Sequence, residues 1–324
     1  MYKRQESEQQ ARRTRQKRRG LCHIAPALSG SIGAPELPVL TTKDSRIIQR
    51  WLEEHVPSYS GPNNDIKSCY SRSILGFDLE SISKPAWMPE RASLPDGPAT
   101  IQLSTPDSCL IVQLSQCGDG SAINAPAVLR DVINNPNVIK AGVGIEDDAL
   151  ELYRWSQKGN NRRRTQVPQD EDHRSRQKNF GSSSLWEMSS RFDIGCILPS
   201  SHPSRRLGLR DLANTILGVE IEKSKKLAMS NWGLRHLSLS QISYAARDAW
   251  VSAAILERLQ RENNEVFGVN ALLEMEFMKR QRSMKDVDER AAIRKRAKEE
   301  MKILIEQAKE GGTCLLYTSD AADD

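Results

Sequence analysis

Two carboxylates stand one residue apart in the stretch LGFDLES (residues 75–81), where Asp78 and Glu80 flank Leu79 at the end of an apolar run. Along a strand successive side chains point to opposite faces, so these two acids share one face while Phe77 and Leu79 project into the other layer. Two like charges that close repel unless water or a cation lies between them, and oxygen donors of this kind suit a hard cation such as Mg²⁺. A solvated strand end has the same pattern, so a metal site requires more acids from elsewhere in the chain.

Two further stretches supply them. GVGIEDDALEL (142–152) places Glu146, Asp147 and Asp148 where a strand passes into a helix, a position at which acids also serve as ordinary caps. SYAARDAW (243–250) puts Tyr244 and Asp248 at i and i+4, on one face of a helix that is otherwise rich in alanine and apolar. A carboxylate on such a face needs a partner, because an isolated buried charge is costly or stays protonated. A metal ion and a salt bridge to Arg or Lys both meet that need.

The elements that carry these acids follow from pattern and punctuation. Near LPVLTTKDSRIIQRWLEEH a short strand precedes an Asp or Ser cap and an amphipathic helix bearing Ile47, Ile48 and Trp51. SILGFDLES, ATIQLST and SCLIVQLS are β-rich runs separated by Pro, Gly and Asp, the pattern of an antiparallel meander. A helix in APAVLRDVINNP, a strand in VIKAGVGI and a helix from EDDALELYRW follow, then a strand in FDIGCIL. Helices in LGLRDLANTILG and LSLSQISYAARDAWVSAAILERLQREN come next. A meander followed by β-α alternation predicts an α/β fold with a mixed central sheet flanked by helices.

Around this core the chain is polar. Residues 6–36, with ARRTRQKRRG at their centre, read as a disordered basic tail that binds nucleic acid, addresses the nucleus or is simply solvated. Residues 157–184 read as an exposed disordered insertion, and residues 264–313 as a charged helical extension without a sustained heptad seam. CLLYTSDAAD (314–323) is what a sequencing-library transposon adapter encodes, and MYKRQ (1–5) matches the adapter's other strand. Residues 1–5 and 314–324 are therefore expected to be foreign to the fold, with the native start missing.

Composition narrows the class. The chain has 324 residues, 27% of them charged, and a formal net charge of +5, with no apolar run long enough to span a bilayer. Uneven positive charge favours a polyanionic partner. Six cysteines without paired spacing and five scattered histidines argue against a zinc site, and Cys109 and Cys196 read as buried thiols of a reducing, intracellular compartment.

Taken in order, D-x-E on the first core strand, G-[IV]-x-x-D after a later strand and Y-x-x-x-D on a terminal helix resemble the three motifs of the DEDDy superfamily of 3′-5′ exonucleases, on a ribonuclease H-like fold. The likeness runs from about Leu37 to Asn263 and includes ATIQLS, LRDLANTILGVEI and SNWGLRHLSLSQISYAARDAW. It looks closest to Werner-type exonuclease domains, with ribonuclease D more distant.

The resemblance implies a metal-dependent 3′-5′ exonuclease that acts on DNA or RNA with a 3′ end and releases nucleoside monophosphates, using two Mg²⁺ or Mn²⁺ ions. Its four acids fall on Asp78, Glu80, Asp148 and Asp248, and its tyrosine on Tyr244; counting from Gly144 selects Asp148 over Asp147. By the family's scheme Asp78 bridges both ions, Glu80 and Asp248 complete the first, Asp148 holds the second partly through water, and Tyr244 orients the attacking water. This sequence departs from the pattern in SISKPAW after Glu80, where close relatives carry an aromatic, and in its longer, more basic insertion after Trp155. Beside the motifs, Trp232 and Leu234 read as core or wall, Asp193 as a strand end, and Lys225, Lys226 and Arg247 as surface charges able to steer phosphate. A rival from another class is a noncatalytic adaptor on the same fold. Degenerate members are expected to lose acids, whereas this chain keeps all four and the tyrosine.

Overall fold

The computed structural model describes residues 21–24, 37–56, 73–82, 97–166, 185–198, 207–221 and 224–310. Its centre is β3 (Ser73–Ser81), the strand that carries Asp78 and Glu80. β3 pairs antiparallel with β4 (Pro98–Ser104), which pairs antiparallel with β5 (Cys109–Val112). This is the meander read from the sequence. On its other side β3 pairs parallel with β6 (Val138–Gly142), and β6 pairs parallel with β7 (Arg191–Asp193). β2 (Leu37–Thr42) joins parallel to β5, and β1 (Leu21–Ile24) pairs antiparallel to β2. The sheet order is β1-β2-β5-β4-β3-β6-β7, a mixed sheet as expected of a ribonuclease H-like fold.

Helices cover both faces. α1 (Ser45–His55) starts where the Asp44 side chain accepts from the Arg46 amide at 2.8 Å, and it packs on β5. α2 (Ala127–Asn134) packs on β6, and α3 (Ile145–Gln166) packs on β3. A short α4 (Leu209–Leu212) runs into a π-turn over Ala213–Leu217, and α5 (Lys225–Ala228) follows. The opposite face of β3, β4 and β6 is covered by α6 (Leu239–Glu262). α6 begins with a capping box: Ser238 Oγ accepts from the Gln241 amide at 3.2 Å, and Gln241 Oε1 accepts from the Ser238 amide at 3.0 Å. Ile242, Ala245, Ala246, Trp250, Val251, Ala254 and Ile255 of α6 pack into one core with Ile111, Ile139, Ala141 and Phe192 of the sheet.

Several expectations meet a different arrangement. β1 lies inside the stretch read as a tail, α3 continues to Gln166 through the start of the predicted insertion, and residues 1–20, 25–36, 167–184 and 311–324 lie outside the described residues. After α6 the chain forms three short helices, α7 (Asn264–Phe267), α8 (Val269–Glu274) and α9 (Glu276–Lys279), before the long α10 (Met284–Glu310). Leu272 and Met278 are buried in the same core as α6, which ties this stretch to the first of two compact units, Met1–Gln281 and Arg282–Asp324. Cys109 is buried as expected, but Cys196 is exposed, because it closes a single turn after β7 and points out of it; Cys117 is buried instead. Among the described residues no helix is long and apolar enough to cross a membrane.

The contact that fixes α6 on the sheet is at Gly76. A methyl group added there would lie 2.0 Å from the Ala249 carbonyl oxygen and 2.9 Å from the Ala253 amide nitrogen. Both obstacles are backbone, so nothing but a shift of the whole helix relieves them. Gly76→Ala is therefore expected to destabilise the fold by about 3 kcal/mol or more. Gly208→Ala, whose methyl meets nothing closer than 3.8 Å, should cost far less. Urea unfolding of the two variants checks this, and equal midpoints would show that the close approach is not a constraint.

Candidate active site

The residues opposite Gly76 and beyond it along β3 build the site. Gly76, Asp78 and Glu80 alternate onto the face that α6 covers, while Phe77 and Leu79 are buried on the other. Because Ala249 and Ala253 touch β3 at Gly76, the preceding turn of α6 brings Asp248 and Tyr244 over Asp78 and Glu80. The register sets Gln102 opposite Asp78 and Thr100 opposite Glu80, on the same face, with Gln102 Nε2 donating to Thr100 Oγ1 at 2.7 Å. Both are fully buried, so a polar pair underlies the acids where the sequence of β4 reads only as a buried strand.

Asp148 arrives from a third element. Gly144 turns the chain from β6 into α3 with φ of 72°, and its amide donates to Asp193 Oδ1 at 3.3 Å. The same carboxylate oxygen accepts from the Gly195 amide at 2.9 Å. Asp193 does end a strand, as its position suggests, and it also ties β7 to the turn that aims Asp148. Glu146 and Asp147 are exposed, whereas Asp148 is half-buried and its charge reaches both Asp78 and Glu80.

Each of these acids feels the charge of others. Burial, then the charges of Asp248, Asp148 and Glu80, hold the Asp78 carboxyl well above the usual range. Burial, then Asp248 and Asp148, push Glu80 up to about 8. Burial, then Glu151, Asp147 and Asp193, push Asp148 up to about 7. Burial and the neighbouring carboxylates raise the Tyr244 phenol, which donates a hydrogen bond to Asp248 and therefore stays protonated at neutral pH.

Two partners went unread in the sequence. Glu151, one turn after Asp148, takes the hydroxyl of Ser81 and so joins the end of β3 to α3. Arg247, read above as a surface charge, is buried: its Nε lies 3.5 Å from Asp248 Oδ1 and its guanidinium sits 5.4 Å from the centre of the Tyr244 ring. Tyr244 and Arg247 stand at i and i+3, a spacing at which helix side chains meet, but an arginine reads as a surface residue by default and its burial was not seen. The S-N-W before α6 also finds its reason. Gln241 Nε2 donates to Ser230 Oγ and to the Asn231 carbonyl, both at 3.0 Å, and the buried Trp232 ring lies 6.1 Å from that of Tyr244.

The donors that converge are carboxylates, so the chemistry of the set fits hard, oxygen-seeking divalent cations and not zinc held by nitrogen and sulfur. Among the described residues no three His, Cys, Asp or Glu side chains already stand as a ready-made ligand cage. Against known families, residues 75–264 match the model of the 3′-5′ exonuclease domain. The chain belongs to the 3′-5′ exonuclease family. The matched span begins just before Asp78 and closes just after α6, so all four acids and Tyr244 lie inside the exonuclease domain.

Relatives agree in kind. The chain is 26% identical over 238 residues to a putative 3′-5′ exonuclease of Acanthamoeba polyphaga mimivirus, an alignment covering 73% of this chain and 49% of the relative. It is 28% identical over 201 residues to exonuclease 3′-5′ domain-containing protein 2 of Drosophila melanogaster, covering 61% of this chain and 27% of that protein. It thus spans half or less of the length of these relatives. Among solved structures, the EXO domain of Aedes aegypti Nibbler aligns over 73% of this chain and 95% of its own, at 18% identity and a TM-score of 0.47.

The raised acids make stability depend on pH with a definite sign. An acid whose folded pKa is raised takes up protons on folding, so its contribution is fully present below the unfolded value near 4 and lost as pH rises through the folded one. In divalent-free buffer the thermal midpoint is expected to fall as pH rises through about 7 and about 8, the values of Asp148 and Glu80. Glu80→Gln should flatten the upper part of that decline. A parent midpoint that climbs across this window would contradict the arrangement.

Proposed function

We propose that this chain is a metal-dependent 3′-5′ exonuclease of the DEDDy kind, hydrolysing the terminal phosphodiester of a DNA or RNA strand to release nucleoside monophosphates. The observation that carries this reading is that four carboxylates from three elements, β3, α3 and α6, act on one another beside a tyrosine whose pKa they raise. A protein does not gain stability from such a cluster alone, since each acid raises the others. In this reading Asp78, Glu80, Asp148 and Asp248 are the residues that would hold the divalent cations, Mg²⁺ or Mn²⁺. Bound there, the ions would lower the pKa of an attacking water and stabilise the charge that develops on the leaving oxygen.

The chain's own groups then have separate tasks. Tyr244 donates to Asp248, which leaves its oxygen lone pairs free to accept from a water and orient it. Because its pKa is raised, the phenol works by hydrogen bonding and not as a base. Arg247 lies beside Asp248 and packs on the Tyr244 ring, so one cation borders both the acid and the tyrosine. The Gln102–Thr100 pair and the Asp193 tether fix the floor and the third wall.

The test is product release from 5′-labelled single-stranded and recessed-end DNA and RNA in Mg²⁺ or Mn²⁺, with Asp78→Ala as comparison. Stepwise shortening from the 3′ end is expected, abolished by EDTA. It should fall in Asp78→Ala by more than the 10–100-fold (about 2 kcal/mol) that loss of an outer contact to a metal costs. Saturating Mn²⁺ should also raise the thermal midpoint of the parent, by about 3 kcal/mol of stability at a hundredfold excess over its dissociation constant, and leave Asp78→Ala nearly unmoved. A folded parent that shortens none of the four substrates would favour the noncatalytic adaptor.

A further inference from the structure

Four acids that face one another repel a polyanion, so a strand can reach them only across a surface that supplies the opposite charge. From Ser224 to Arg247 the chain contains no Asp or Glu, and it carries Lys225, Lys226 and Arg235, all three exposed. The same segment exposes large apolar side chains: Met229 is 74% exposed, Leu239 71% and Leu234 43%. Leu234 was expected in the core or wall. Among the described residues of the first compact unit five large hydrophobics are exposed, and three of them lie in this one stretch.

Their exposure is not looseness. Gln113 Nε2 donates to the carbonyls of Leu234 at 3.0 Å and Arg235 at 3.4 Å, and Gln116 Nε2 to that of Gly233 at 3.0 Å. Trp232 Nε1 donates to the Ala228 carbonyl at 3.2 Å. The segment is also part of the site's edge. The Trp232 ring borders that of Tyr244, and a methyl group added at Gly233 would lie 3.2 Å from Ile82, two residues beyond Glu80. A backbone held this firmly, with cations and aliphatic side chains turned outward beside the acids, is shaped for a ligand with both anionic and flat apolar parts.

We infer that the segment from Lys225 to Leu239 is the surface over which an unpaired nucleic acid strand runs into the acid cluster. Its phosphates lie beside Lys225, Lys226 and Arg235, and its base faces lie on Met229, Leu234 and Leu239. The strand is unpaired because a duplex buries its base faces in the stack and offers apolar side chains only edges and backbone. This rests on the exonuclease reading for the identity of the polymer, and adds where it binds and in what form.

The test is fluorescence anisotropy in EDTA, where no cleavage intervenes, with a short fluorescein-labelled mixed-sequence oligodeoxynucleotide, single-stranded or annealed into a blunt duplex. The single strand should bind the parent more tightly than the duplex. K225Q/K226Q/R235Q should flatten the plot of log affinity against log salt by about 2, three contacts at about 0.7 each. M229S/L234S/L239S should weaken the single strand about tenfold and leave the salt slope and the duplex affinity alone. An unchanged slope in the first variant, equal affinity of the parent for both forms, or a loss in the second that falls equally on both would overturn the inference. Because binding is read without turnover, a chain that binds this way and shortens nothing would sink the catalytic reading while leaving the surface standing.

Discussion

At Gly76 the backbone of β3 lies against the backbone of α6, with the Ala249 carbonyl and the Ala253 amide where a side chain would otherwise be. An approach this close is possible only where the strand offers glycine and the helix offers alanine, and α6 supplies Ala245, Ala249 and Ala253 at that spacing. The consequence is chemical as well as structural. The Asp side chain is short, and Asp248 comes within reach of Asp78 and Glu80 because the helix axis is drawn in. The alanine-rich face of α6, which on its own marks a buried helix, is what lets two elements distant in sequence share one site.

The second constraint is charge. Burial and mutual repulsion raise the acids together, and a fold that holds them must restrain each one against the pull of water. Here the restraints come from different sides. Asp248 is held by Arg247 and the Tyr244 hydroxyl, Asp148 by the Gly144 turn that Asp193 fixes, and the β3 pair by the sheet register over Gln102 and Thr100. Such a cluster is unfavourable by itself, and it lies inside the span that matches the 3′-5′ exonuclease domain.

Much of this was legible in the chain. The β3–β4–β5 meander showed itself because β-rich runs alternate with Pro, Gly and Asp, and α6 because its apolar stripe is long and broad. The resemblance selects Asp148 over Asp147 by its count from Gly144, and the structure leaves Asp147 exposed and Asp148 half-buried, since one residue turns a helix side chain by about 100°. What stayed hidden depended on register and packing. Nothing in ATIQLS says that Gln102 faces Asp78, since that requires knowing which residue pairs with which across two strands. Nothing in YAARD says that Arg247 is buried, since arginine is a surface residue by default.

The sequence by itself determined the types of the acids, their order along the chain and the elements on which they ride, because strand alternation and helical turn are local properties of the backbone. It did not determine that Leu234 stands out in solvent, that Cys196 is exposed, or that the chain after α6 folds back into the core through Leu272 and Met278. Those outcomes depend on which surfaces are already occupied when each segment arrives, a property of the assembled fold. The convergence of Asp78, Glu80, Asp148 and Asp248 belongs to that second class. Spacing within each motif sets a direction, and the close contact at Gly76 and the tether at Gly144 bring the carboxylates near enough to raise one another.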